Sequence, residues 1–283
     1  MPVAQAFVVD ATDQHTSRAR HFAWLGLASI AGLLGGPLIG SALGSGIMSG
    51  VRSFALLQGS LALLAAAVAA VAALWLPMPS RKRLDPSPPT AHRQLAVLLS
   101  LSALVAGGLS AFEVGVSLRG QYDPSLNSGQ LGFGFAECML VMAAAQALVF
   151  NRWVRVERTA RLIAPSLVAL GLGLVLLPWT GSGLGLVLAT GAVAAAAGIL
   201  LPVMAFWISL AAGTMQGREL GWQTSVASLG QAIAAALAGV LASTSGPLNG
   251  GILLTGLALM LAGLSALRNL PRLFNQSAIR REI

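Results

Sequence analysis

Long apolar runs alternate with short polar segments along almost the whole chain. The runs fall at 23–42, 53–77, 95–119, 129–150, 162–180, 184–211, 222–243 and 249–267. Each is close to the roughly 20 residues that a helix needs to cross a bilayer. The pattern therefore predicts an all-α polytopic membrane protein with about eight transmembrane helices. Residues 1–9, MPVAQAFVV, are too short to span and read as the cytoplasmic end of a helix that stops at Asp10. Residues 78–94, MPSRKRLDPSPPTAHRQ, read as an extended, semi-rigid polar linker. That linker divides a first part, 1–77, from a six-helix part, 95–267, which is followed by a polar tail, 268–283.

Composition sharpens this into a class. Hydrophobic residues make up 56% of the chain and charged residues 9%, and the mean hydropathy is +0.79. Soluble domains carry about 25% charged residues, so a soluble domain is excluded. The net charge of +8 does not point to nucleic acid, because the basic residues cluster between apolar runs. With the 11–21 loop in the cytoplasm, all but Arg52 and Arg119 of the 17 Lys and Arg lie on that side. This is the positive-inside bias, and it predicts a cytoplasmic C-terminus. Arginine in place of lysine, with heavy Ala, Gly and Leu use, suggests a bacterial inner-membrane protein.

Soluble chemistry finds little support. Cys138 is the single cysteine, which rules out an intrachain disulfide and a thiolate cluster. His15, His21 and His92 lie in loops without a supporting carboxylate–cysteine cluster, so no metal site is expected. No glycine loop for phosphate and no Ser/His/Asp pattern is present, so neither a cofactor, nor ATP-driven pumping, nor enzymatic activity is expected.

The 23–42 run carries Gly32, Gly36 and Gly40 at every fourth position, which places them on one helix face. Such a face allows close backbone approach between helices, and Pro37 within it predicts a kink. The series Gly230, Ala234 and Ala238 repeats the spacing, and each series follows a basic residue at the same distance, Arg20 and Arg218. The pattern Ala23-x8-Gly32-x3-Gly36-Pro37-x2-Gly40-Ser41 resembles the antiporter motif in the fifth helix of the major facilitator superfamily, with Ala23 and Ser41 where that motif has glycine. The stretch AQAFVVDAT…RARHF resembles the drug-efflux branch that includes the tetracycline exporters. The resemblance implies a chain lacking the first three helices and most of the fourth, with 23–42 and 222–243 as the fifth and eleventh helices of parallel repeats. The charged loop 151–161 is then a weak echo of the family's loop between helices two and three.

Two carboxylates interrupt apolar runs, Glu113 in FEVGVSL and Glu137 in FAECMLVM. Acids at membrane depth are costly and usually belong to a transport pathway or a partner. Glu113 lies about 9 Å from Arg119 along its helix, and Glu137 about 14 Å from Ser128. Both therefore sit in the outer half, and they are predicted to share one cavity as proton-coupling groups. Gln146, Met139, Met204, Trp207 and Gln231 are candidates for a mostly apolar substrate cavity, with Gln223 a further polar candidate. The resemblance implies a proton-coupled exporter of a small organic molecule, working by alternating access. Gly32, Gly36, Pro37 and Gly40 would form its packing face, with Asp10, Arg18, Arg20 and Arg218 at a cytoplasmic gate. The partners expected are the lipid bilayer, protons, a small-molecule substrate, and either the missing N-terminal helices or a partner subunit. An uptake carrier and a non-transporting remnant are the alternatives.

Overall fold

A computed structural model of the chain describes residues 89–122, 128–149, 159–180, 184–212, 216–245 and 250–275, with short pieces between 21 and 70. The long helices among the described residues are α1 Pro89–Tyr122, α2 Ser128–Val149, α3 Ala160–Leu176, α4 Leu184–Ala211, α5 Gln216–Ser245 and α6 Gly251–Asn275. A single 3-10 turn, Leu177–Trp179, ends α3 where Pro178 removes a backbone donor. No strand occurs among the described residues. Five of the helices hold apolar stretches long enough to cross a bilayer, and α2 carries a shorter one, Gly134–Val149. The chain is an all-α, multi-pass membrane protein.

The six predicted spans of the second part each find a helix. Three helices outrun their apolar runs. α1 begins at Pro89, inside the expected extended linker, because proline suits the first helical turn, where its missing donor is not needed. α5 begins at Gln216, with Glu219 in its first turn, and α6 continues to Asn275, into the first part of the expected tail. Of the expected fifth and sixth helices, 23–42 and 53–77, only 24–29, 31, 32 and a few single positions are described, all helical, and Asp10, Arg18 and Arg20 lie outside the described residues.

Close approaches set the packing. α1 lies chiefly along α5, α2 along α4, and α3 along both α4 and α6. Gly107 faces the Gly230 carbonyl at 3.0 Å and the Ala234 Cβ at 3.2 Å, where a β-carbon on Gly107 would sit. Gly171 and Gly256 bring α3 and α6 together in the same way. Small residues are what such contacts need, since packing rather than hydrophobicity drives helix association in lipid.

The contacts also fix direction. Ser102, Ala103 and Gly107 meet Gln223, Gly230 and Ala234 in rising order, so α1 and α5 run parallel. Cys138 meets Thr190 and Met142 meets Gly198, so α2 and α4 are parallel too. Thr159 meets Trp207 while Gly173 meets Val193, which makes α3 and α4 antiparallel. Successive helices alternate, as repeated bilayer crossings require. The core is built from Ile163, Leu167, Leu170 and Leu174 of α3 against Leu200, Val203 and Ile208 of α4, all fully buried.

Candidate functional site

Glu113 occupies an exposed position on α1, one residue beyond buried Phe112. A single step turns a helix by about 100°, so the carboxylate leaves the core side that Phe112 occupies. Ser117 is exposed on the same side, four residues further on. Glu137 is half-buried on α2. α1 lies chiefly along α5 and α2 along α4, so direct packing among the described helices does not bring the two acids together. No hydrogen bond or ion pair joins the two carboxylates among the described residues. Their place along each helix can be counted from the sequence, whereas their direction around the bundle depends on packing.

The expected cavity residues also disperse. Trp207 is 4% exposed and donates from Nε1 to Thr159 Oγ1 at 3.1 Å, fastening α4 to the start of α3. Phe206 meets it edge-on at 5.8 Å between ring centres. Trp207 is thus packed into the core of the described helices. Gln146 is 2% exposed and lies against Gly26, so close that a β-carbon on Gly26 would collide with its amide nitrogen. This places the helical stretch around Gly26 beside α2. Met139 is half-buried on α2, and Gln231 is exposed on α5. Gly32, the described member of the glycine series, has nothing within 4 Å of where a β-carbon would stand.

A polar seam that sequence reasoning did not assemble crosses α1, α4 and α5. Gln223 Nε2 donates to Ser102 Oγ at 3.4 Å, and Ser102 Oγ donates to Met204 Sδ at 3.5 Å. Ser102 is 4% exposed and Met204 1%. Gln223 Oε1 is buried and has no hydrogen-bond partner among the described residues. The signal for this seam was weak, since Ser102 sits unremarked inside LLSLSALV.

α5 presents three sides. Gln223, Gly230, Ala234 and Ala238 face α1. Trp222, Leu229, Ile233, Leu237 and Val240 form an exposed apolar side. Gly221, Ser225, Ser228, Gln231, Ala232 and Gly239 form the third, where positions 221 and 239 have open space beside them. The second small series is thus a packing face, as its spacing predicted. At the start of α5, Arg218 Nη2 donates to Glu219 Oε1 at 2.6 Å, so the expected gate cation is bound to its own helix's first turn.

Comparison with known proteins adds nothing to this picture: no family model fits the chain, and no curated protein matches it.

Proposed function

We propose that the protein is a secondary transporter of the major facilitator type, akin to the tetracycline-exporter branch of drug efflux. It would exchange protons for a small organic molecule across a bacterial inner membrane, with its C-terminus in the cytoplasm. The observation that carries this reading is Glu113, a carboxylate on an uncovered side of a membrane-crossing helix. Lipid cannot solvate such a group, so it needs water, a partner or a proton. The unevenly clothed α5 supports the same reading, because its small, polar side is poorly suited to acyl chains. Alternating access then requires a second bundle opposite α1 and α5, supplied by the N-terminal helices or by a partner subunit.

Protein reconstituted in vesicles under an imposed pH gradient tests the assignment, with a fluorescent organic efflux probe as cargo. Glu113→Gln should abolish gradient-driven movement while leaving downhill exchange of the probe intact. Full gradient-driven activity in a Glu113→Gln, Glu137→Gln double variant would refute proton coupling through these groups.

A further inference from the structure

The seam between α1, α4 and α5 has an unbalanced set of hydrogen-bonding groups. Two of its donors are already engaged, one N–H of Gln223 Nε2 on Ser102 and the Ser102 hydroxyl on Met204. The amide oxygen of Gln223 is left as a buried acceptor without a partner among the described residues. Turning the amide over only exchanges the unmet group, because an NH2 would then lack an acceptor. Buried polar groups are nearly always satisfied, so an exception calls for an explanation. Inside a bilayer the requirement is stricter, since hydrocarbon offers neither donor nor acceptor.

The position suits a ligand. Ser102 lies about 15 Å along α1 from His92, and Glu113 about 16 Å further along the same helix. The seam therefore stands well inside the span, on the helix that carries Glu113. Three separate helices contribute to it, so its geometry changes whenever α5 shifts against α1 or α4. Met204 adds a polarizable thioether, which accommodates varied apolar bodies.

Resting on the transport reading above, we propose that Gln223 Oε1, with Ser102 and Met204, forms a subsite that recognises an N–H or O–H donor on the carried molecule. The amide oxygen accepts from that donor, and the thioether packs on the adjacent apolar surface. Molecules of equal size and charge without a donor leave the oxygen unmet and bind less well, because a site built to pair a hydrogen bond rejects the analogue that lacks it.

The test uses the full chain in detergent and a matched pair of cationic rhodamines, one with free amino groups and one fully N-methylated. Fluorescence polarisation should show the amino dye binding about tenfold more tightly, as expected for one hydrogen bond from a charged donor. Gln223→Leu should erase that preference by weakening the amino dye alone. Gln223→Glu keeps the acceptor and should retain the preference, and thermal unfolding of each variant reports whether the fold survives. Equal binding of the two dyes by the native protein overturns the subsite and leaves transport standing. Binding of neither dye overturns both readings for this class of molecule. The wild-type comparison decides the matter even if a variant fails to fold.

Discussion

Gly230 on α5 offers the sharpest test of the packing. A β-carbon there would stand 2.8 Å from the Ala103 carbonyl carbon and 3.0 Å from its Cα, and closer still to its oxygen. These are backbone atoms, which no rotamer change can move aside. Gly230→Ala must therefore push α5 away from α1, stretching the Gln223–Ser102 hydrogen bond that is already 3.4 Å long. Overpacking of this kind costs about 1–3 kcal/mol, with the upper end expected where backbone meets backbone. Alanine returns up to about 1 kcal/mol through its better helix propensity. The net loss is then about 1–2 kcal/mol. Gly239, nine residues further along the same helix, has nothing within 4 Å of its would-be β-carbon. Gly239→Ala keeps only the propensity gain, so the same substitution should stabilise by up to about 1 kcal/mol. The two variants should differ by about 2–3 kcal/mol in SDS-driven unfolding from mixed micelles, followed by helicity. A difference below about 0.5 kcal/mol would refute the α1–α5 packing described here.

Other expectations follow from single contacts. Trp207→Phe keeps an aromatic ring against Phe206 and loses the hydrogen bond to Thr159. It should cost about 0.5–1.5 kcal/mol, and a double-mutant cycle with Thr159→Ala should show coupling within that range. For α3, cysteine at exposed Arg161 or exposed Trp179, in a Cys138→Ser background, should react with impermeant maleimide from opposite faces of sealed vesicles. Labelling of both positions from one face would contradict a crossing by this helix.

The helices of the second part were legible because hydropathy reports bilayer thickness, and the backbone must be helical at that depth. Their ends were less legible for the same reason. Hydrogen bonding continues along α1, α5 and α6 past the hydrocarbon boundary, where the residues turn polar but remain good helix formers. Spacing identified Gly230, Ala234 and Ala238 as a contact face, yet it could not name α1 as the partner, since that choice depends on the whole bundle. Trp207 was hard to place because a large side chain inside a bundle and one lining a cavity look alike in sequence. Glu113 and Glu137 differ in another way. Depth follows from counting residues, but whether two helices turn their acids toward each other depends on which neighbours they pack against.

The rotational setting of α5 links these observations. Its most closely packed side is the narrow one of small residues against α1, with lesser contacts to α4 and α6. Of the two remaining sides, the one carrying Trp222, Leu229, Ile233, Leu237 and Val240 loses nothing by meeting acyl chains. The other side carries Ser225, Ser228 and Gln231 among small residues. Ser225 answers its own need by donating to the Gly221 carbonyl at 3.1 Å, so it would be tolerated in lipid. Gln231 is the residue that discriminates, because an exposed amide has four hydrogen bonds to make and lipid supplies none. The orientation that gives lipid the large apolar side turns Gln231 and the open glycines toward water or another helix. On α1, Glu113 makes the same demand by itself. Polar groups on two parallel helices thus require the same kind of neighbour, and an acyl chain cannot be that neighbour.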